Sequence, residues 1–483
     1  MKKIIFSVLI LAVSLFGFTG CWDAIYQNIR DEIELTTQKM PGFINNIARY
    51  DSESGKKYLF LANGALQVKD ASREEHGAWK ELSGNGLPDT VHYVFENTEF
   101  SGFFFSKVIA DKDFVYALGF KPSYDTDNSR NVPVDLKVYF TKPSEENGEL
   151  KMQWKEITGF STEINKYQDE INKNDDDNYG MGLSCHLFGT NSVNLEHRAA
   201  FLRIGGGSPY LGNNRNEKAT LNEKATLYKL NGENVDLVAE VSSESAGADS
   251  GEYWYSEFDL DTLSVVYFGG KYHFMNYLNA ETNEGTTDSS GAVRTEPTYV
   301  YFGDYGRNLY YFSVVDFNSS PEDFKKMFKY PRASYRLTEA KKQDVKAPDE
   351  FLSENGEVSG YIKDLSDSNL ISIAVTSDSV LVGTGSNRSY NSNASSGSGI
   401  VKALVDENGK PTKKGDFTTN AGRIMVPPYI VRALLAVDPS KKEAKTSIYS
   451  VMDYIYTATS AGTNSTNRGL WAYYPAKAEW NRE

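Results

Sequence analysis

The last part of the chain, residues 448–483, most constrains the fold because it fits several short strands and turns into a small length. It reads IYSVM, DYIYTAT, a polar loop, RGLWAYY and finally EWNRE. Aromatic and β-branched side chains dominate these runs, and such side chains pack well on the pleated surface of a sheet. Three or four strands that follow one another with tight turns predict a small antiparallel sheet.

The tryptophan near the end of this unit recurs in a similar context at two earlier places. Ala-Trp-Lys-Glu at residues 78–81, Gln-Trp-Lys-Glu at 153–156 and Glu-Trp-Asn-Arg at 479–482 each place a tryptophan before polar residues. Each motif follows a block of several strand-like runs. Recurrence of a short motif at the end of such blocks indicates repeated four-stranded units.

A further strand-turn-strand pattern indicates the type of repeat. Residues 379–384 read SVLVGT, and GIV follows at residues 399–401. This pair resembles the strand-turn-strand motif of many bacterial β-propellers. The resemblance implies an all-β fold, which we predict to be a single β-propeller of about seven four-stranded blades over residues 43–483. Helical insertions are expected to be short, as at residues 161–173, and the strand at 43–50 is expected to complete the last blade. The alternative is two consecutive β-sandwich domains with a boundary near residues 341–354.

The N-terminus carries a targeting pattern. Lys2 and Lys3 precede a mostly apolar run at residues 4–18, which ends in Phe-Thr-Gly-Cys. The run is too short to cross a bilayer as a helix but suits a secretory signal. Its end resembles a bacterial lipobox, with Phe18 where Leu is commoner, a departure that spirochaetal lipoproteins tolerate. The resemblance implies that residues 1–20 are a signal peptide and that Cys21 carries lipid, including palmitate.

Several expectations follow from lipidation at Cys21. Residues 21–42 would form the lipidated cysteine, a tether and a short helix. The protein would be held in the bacterial cell envelope, on its periplasmic or outer-surface face, with the membrane as a partner through the lipid. Only one other cysteine, Cys185, is present, so no intramolecular disulfide is expected.

Charge limits the other partners. The formal net charge is −14, and lysine and arginine are scattered along the chain. Nucleic-acid binding needs a clustered basic footprint, so we expect no nucleic-acid partner.

No catalytic or cofactor motif stands out. The sequence has no P-loop, His-Glu-x-x-His or Gly-x-Ser-x-Gly pattern, and we predict neither catalytic residues nor a cofactor. Cys185, His186 and His197 are the closest group of metal-type ligands. On a strand, however, Cys185 and His186 would face opposite sides, and a fourth ligand is lacking, so no metal site is expected. Whether the protein is an enzyme stays open, with a non-enzyme favoured.

Other charged residues are candidates only if the fold brings them together. The acidic residues 175–180 loosely resemble a calcium loop, but position twelve is His186 where a Glu is needed.

Asp259 and Asp261 are spaced so that their two carboxylates can face one way on a strand. The Ser-x-Asp-x-Gly-x-x-Trp box of sialidase-like propellers is absent. Arginines that would need the fold to form a cluster are Arg203, Arg294, Arg307 and Arg332.

One aromatic triplet is a candidate recognition surface. Trp254 lies between Tyr253 and Tyr255, next to the small and polar residues 242–251. Exposed tryptophan and tyrosine are enriched at binding surfaces. The sequence therefore predicts a lipid-anchored envelope protein whose propeller is a platform for binding other envelope proteins. The alternative function is a glycan-binding or glycan-hydrolysing propeller.

Overall fold

The structure is a computed structural model that describes part of the chain. The described residues are 44, 46–71, 79–91, 102–126, 130–174, 183–191, 195, 198–205, 224–242, 280–282, 298–303, 309–314, 360–362, 365, 369–376, 379–385, 399–405, 411–415, 429–437, 447–454, 469–474 and 479–482. The predicted segments 1–20 and 21–42 lie outside them. Within the described residues the chain forms twenty-six strands and one helix.

Six four-stranded units contain nearly all of the described strands. Sheet 1 consists of β1 (Asn46–Asp51), β2 (Lys57–Ala62), β3 (Leu66–Asp70) and β4 (Lys80–Leu82). Sheet 2 consists of β5 (Phe104–Ala110), β6 (Val115–Asp125), β7 (Arg130–Thr141) and β10 (Lys155–Glu156), with the hairpin β8 (Ser144–Glu146) and β9 (Glu149–Lys151) inserted before its last strand. Sheet 3 consists of β11 (Cys185–Asn191), β12 (Ala200–Gly205), β13 (Lys224–Asn231) and β14 (Asn234–Ser242).

The second half of the chain repeats this order. Sheet 4 consists of β15 (Ala280–Thr282), β16 (Thr298–Gly303), β17 (Leu309–Val314) and β18 (Gly360–Ile362). Sheet 5 consists of β19 (Asn369–Val375), β20 (Ser379–Gly385), β21 (Ile400–Val405) and β22 (Pro411–Gly415). Sheet 6 consists of β23 (Tyr429–Val437), β24 (Ser447–Tyr454), β25 (Gly469–Tyr474) and β26 (Glu479–Arg482). A short parallel pairing of β11 with β15 joins sheets 3 and 4.

The first strands of the six sheets contact one another in cyclic order. β1 contacts β5, β5 contacts β11, β11 contacts β15, β15 contacts β19, β19 contacts β23, and β23 contacts β1 again. Consecutive antiparallel sheets around a common centre define a β-propeller, which confirms the predicted all-β class. The described residues hold six blades rather than the expected seven or so. We call the centre enclosed by these first strands the ring axis.

The alternative of two β-sandwich domains is wrong for this chain. A sandwich pairs two sheets around a core of their own. Sheet 1 instead shares one apolar core with sheet 2, which includes Phe60 and Phe105, and a second core with sheet 6, which includes Leu61 and Leu470. Because both faces of sheet 1 are covered by different neighbours, the sheets follow one another around a ring.

The recurring tryptophan motif marks the outermost strand of a blade, as its position in the sequence predicts. The motifs at Trp79, Trp154 and Trp480 lead into or lie on β4, β10 and β26, the last strands of sheets 1, 2 and 6. Trp154 is buried in the core that sheet 2 shares with sheet 1, and Trp79 packs against the core that sheet 1 shares with sheet 6. Each of these two indoles therefore faces the preceding blade.

The predicted closure by the strand at residues 43–50 is wrong. β1 is the first strand of sheet 1 and pairs with β2 in the register Asn46↔Ala62 to Asp51↔Lys57, whereas sheet 6 already has four strands of its own. The loop between β1 and β2 is short, so this local pairing costs little chain entropy. The ring closes instead through apolar side chains between sheets 1 and 6, including Ile47 and Leu435.

The helix α1 (Ser161–Asn174) is the insertion predicted between two blades. Ile164 is buried and Tyr167 is partly buried in the core that sheets 2 and 3 share. Their spacing of three places both side chains on one face of the helix. Among the described residues, no helix is long and apolar enough to span a membrane.

Candidate functional site

The inner edges of the blades place polar side chains at the ring axis. Each first strand has one antiparallel neighbour, and its other edge faces the centre except where β11 and β15 pair in parallel. Lys107 on β5 and His186 on β11 are both partly exposed, although their strands contact each other inside the ring. Both side chains are therefore incompletely buried, although the Nε2 atom of His186 is itself buried.

A β-bulge decides where Lys107 lies. The pairing of β5 with β6 shifts between Phe105 and Lys107, so Ser106 is an extra residue whose Oγ donates to the carbonyl of Leu118 at 3.3 Å. Phe105 contributes to the core between sheets 1 and 2, and Ile109 contributes to the core between sheets 2 and 3. A bulge moves the following residues to the other face of a strand. Lys107 therefore lies on the Ile109 side and faces sheet 3.

His186 and Arg203 are cross-strand neighbours. They are directly opposite in the antiparallel pairing of β11 with β12, so they lie on the same face with Cβ atoms about 5 Å apart. Arg203 is buried, with 4% of its surface exposed. Cys185 lies on the other face, within the core between sheets 2 and 3. Burial raises the pKa of its thiol to about 12, so this cysteine is not a reactive group at neutral pH.

Lys107 faces the side of sheet 3 that carries Cys185, whereas His186 and Arg203 lie on the other side of that sheet. Burial lowers the pKa of His186 well below its usual value, and the positive charges of Arg203 and Lys107 lower it further. Burial also lowers the pKa of Lys107 to about 8. We call Lys107, His186 and Arg203 the basic cluster. At neutral pH it contains two cations and one neutral imidazole.

Two polar groups of the basic cluster have no partner in the part of the chain that the structure describes. The buried Nε2 of His186 has no hydrogen bond there. Lys107 forms no ion pair with a described carboxylate. A buried donor without a partner costs about 1–3 kcal/mol of stability, so such groups call for an explanation.

A second group of charges connects sheet 1 with sheet 3. Asp51, at the end of β1, forms one ion pair with Arg49 at 3.2 Å and another with Arg198, which precedes β12. Burial favours the neutral acid, but the charges of Arg49 and Arg198 outweigh it and hold the pKa of Asp51 below its usual value. Sheets 1 and 3 are separated by sheet 2 in the ring order, so this pair reaches past sheet 2. With one carboxylate between two arginines, this group also carries a net positive charge.

A buried acid near the ends of sheets 2 and 3 has a structural role. Asp111 accepts from the backbone N–H groups of Asp113 and Phe114 and from the hydroxyl of Tyr116 at 2.9 Å. The same hydroxyl accepts from the N–H of Gly232 at 2.8 Å, between β13 and β14. Burial raises the pKa of Asp111 to about 6, although these hydrogen bonds oppose the increase. The network connects a hairpin of sheet 2 to one of sheet 3.

The structure brings together only part of what the sequence singled out. Arg203 lies directly opposite His186, and no pattern in the sequence singled out Lys107, which is a lone cation in the run FFFSKVIA. Cys185 and His186 face opposite sides, as expected, and the described residues contain no cluster of metal-type ligands. Candidate residues that lie outside the described part of the chain are Cys21, Tyr253, Trp254, Tyr255, His197, Asp259, Asp261, Arg294, Arg307 and Arg332.

Comparisons with known proteins give remote structural similarity. No family model matches the chain, and no curated protein matches its sequence. Trypanosoma rangeli sialidase in complex with the inhibitor DANA has 9% identity and a TM-score of 0.35 over 90% of this chain and 55% of that chain. AofleA from Arthrobotrys oligospora has 9% identity and a TM-score of 0.37 over 92% of this chain and 87% of that chain.

A second complex of the Trypanosoma rangeli sialidase, with 2,3-difluoro-KDN, has 10% identity and a TM-score of 0.38 over 91% of this chain and 54% of that chain. The chain thus spans about half the length of the sialidase chains that it matches. The assignment to the β-propeller class rests on the sheet order and the cyclic contacts of the chain itself.

Proposed function

We propose that the chain is a lipid-anchored binding protein of the bacterial cell envelope that holds its ligand at the ring axis. The pattern that ends in Cys21 supports the anchor. The basic cluster supports the binding site, and the observation that carries this proposal is the lack of a partner for Lys107 and for Nε2 of His186 in the described residues. A ligand that forms hydrogen bonds with these groups would remove the cost of leaving them unpaired.

The position of the basic cluster bears on the two functional hypotheses. Groups on the inner strands of a ring are reached by a small molecule or a narrow chain more readily than by a folded protein surface. The basic cluster therefore favours the glycan-binding hypothesis over the platform for envelope proteins. The platform rests on the aromatic surface at Trp254, which lies outside the described residues and stays a prediction.

The anchor is tested by metabolic labelling of expressing cells with a palmitate analogue. We expect label on the wild-type protein and on Cys185→Ala, and none on Cys21→Ala, because thioether lipidation needs the Cys21 sulfur. Phase partitioning should then move Cys21→Ala from the detergent phase to the aqueous phase. Equal labelling of the Cys21→Ala variant would overturn the proposed anchor.

The binding site is tested with the full chain in detergent micelles by isothermal titration calorimetry. The probes are a panel of neutral and uronate-containing oligosaccharides. We expect at least one probe to bind, with an affinity at least ten-fold lower for a double variant that replaces Lys107 and His186 with Met and Gln. A panel in which nothing binds, or binding that is unchanged in the double variant, would contradict a ligand site at the ring axis.

A further inference from the structure

Lys107 lies among apolar side chains. Its cross-strand neighbour on β6 is Leu118, which lies on the same face of sheet 2 and is 2% exposed. Leu118 and Ile109 both belong to the core that sheets 2 and 3 share, and Cys185 faces this core from β11. The stem of Lys107 therefore extends along the edge of an apolar core.

The amine of Lys107 has no partner within the described ranges of the chain. It forms neither a hydrogen bond nor an ion pair with the residues described there. Burial lowers the pKa of this amine to about 8 from the ordinary lysine value of 10.5. About a tenth of the amine is therefore neutral at pH 7, against less than about a thousandth at the ordinary value.

The β-bulge at Ser106 gives the amine this position. With plain alternation along β5, residue 107 would face the core of sheets 1 and 2 together with Phe105. Bulges are common next to functional sites because they redirect a side chain. Lys107 is also incompletely buried, so a small molecule has access to a side chain that the bulge has moved.

These features are those of a nucleophilic amine. We propose that the amine of Lys107 forms a reversible imine with an aldehyde group of the ligand, such as the open-chain end of a reducing sugar; this rests on the proposed ligand site at the ring axis. A lysine that is desolvated and lacks a counter-ion is suited to this reaction because its neutral form is populated.

The reaction needs no oxidant or reductant. The nitrogen lone pair forms the C–N bond, and the π electrons of the carbonyl move to its oxygen, which takes up a proton. That oxygen then leaves with two protons as water, and the C=N bond forms. One amine and one aldehyde thus give one imine and one water. The thiol of Cys185 does not compete, because burial raises its pKa to about 12.

The experiment traps the imine in the full chain in detergent micelles at neutral pH. The probe is glyceraldehyde with sodium cyanoborohydride, which reduces an imine to a stable secondary amine. Peptide mass mapping then compares Lys107 with Lys121, a lysine that is exposed on β6. We expect the adduct to form at least ten-fold faster on Lys107, because more of its amine is neutral. Glycerol, which lacks the aldehyde, should give no adduct.

Two variants of Lys107 locate the reaction. Lys107→Arg should abolish the adduct on this peptide, because guanidinium stays charged, and should leave labelling of Lys121 unchanged. Lys107→Met suits the apolar surroundings and should keep or raise the melting temperature, so loss of the adduct in this variant is not a folding defect.

The outcomes separate this inference from the proposed function. An adduct that forms no faster on Lys107 than on Lys121 would overturn the inference, and the oligosaccharide panel would still test the ligand site by calorimetry. A fast adduct on Lys107 in a protein that binds none of the panel would support the reactive amine and contradict the glycan site. A slow adduct together with no binding would overturn both.

Discussion

At the residue scale, the hydroxyl of Tyr116 connects two blades. It donates to Asp111 and accepts from the N–H of Gly232, and its ring is completely buried. We expect Tyr116→Phe to lower the free energy of unfolding by about 1–3 kcal/mol, because both partners lose a hydrogen bond in a buried place. Urea denaturation measures the change. The control is Tyr124→Phe, at a partly buried site on the same strand, which should change the stability by less than about 0.5 kcal/mol.

The raised pKa of Asp111 makes the stability depend on pH. Its pKa is about 6 in the folded protein, above its usual value of 3.8, so the folded state binds more protons between these values. This contribution to stability is present below pH 3.8 and is lost as the pH rises through about 6. Asp111→Asn should therefore remove about 1 kcal/mol from the stability difference between pH 5 and pH 7. Asp89→Asn, at an exposed site, should leave that difference unchanged, and an unchanged difference in Asp111→Asn would contradict the prediction.

At the element scale, α1 repairs an irregular strand of sheet 2. The side chain of Asn165 accepts from the N–H of Leu136 at 2.8 Å and donates to its carbonyl at 3.1 Å. The pairing of β6 with β7 shifts at this level, so the helix provides the partner that Leu136 lacks in the ladder. The inserted helix thus stabilises sheet 2, the blade that precedes it in the chain.

Asn165→Ala tests this role of the helix. It would leave both polar groups of Leu136 without their partner, and we expect the free energy of unfolding to fall by about 1–3 kcal/mol. Lys166→Ala, one residue on at an exposed position, is the matched control and should change the stability by less than about 0.5 kcal/mol. Similar effects of the two substitutions in urea denaturation would argue against a supporting role for Asn165.

At the scale of the whole molecule, closure of the ring depends on side-chain packing. Sheets 1 and 6 share an apolar core, and each of the two has its own four strands, so no strand is exchanged between them. Leu61 and Leu470 are both buried in this core. Substitution of either by Ala should cost about 2–5 kcal/mol through lost contacts and a cavity.

A double-mutant cycle tests the closure itself. Leu61→Ala and Leu470→Ala, which lie in the first and last blades, should show a coupling energy of about 0.5–3 kcal/mol because the two residues share a core. Leu61→Ala combined with Leu118→Ala, which lies in the core of sheets 2 and 3, should be additive. Additivity of the Leu61 and Leu470 pair would indicate that the two blades do not stabilise each other.

The sequence by itself determined the class of the fold, the position of the last strand in three blades, and the inserted helix. Alternating aromatic and aliphatic side chains are local patterns, and the tryptophan motifs at Trp79, Trp154 and Trp480 lie on outermost strands as their position predicts. The amphipathic pattern of α1 was likewise visible, since Ile164 and Tyr167 recur at helical spacing. Local patterns of this kind survive in the structure because backbone pairing and side-chain alternation act over a few residues.

Only the tertiary structure decided the closure of the ring and the composition of the basic cluster. Both depend on residues that are distant in sequence, and no local pattern states which strands become neighbours. The extra residue Ser106 reverses the face of Lys107, so plain alternation along β5 would place the amine in the apolar core of sheets 1 and 2. His186 and Arg203 meet through cross-strand register, and the contact between β5 and β11 inside the ring brings Lys107 close to sheet 3.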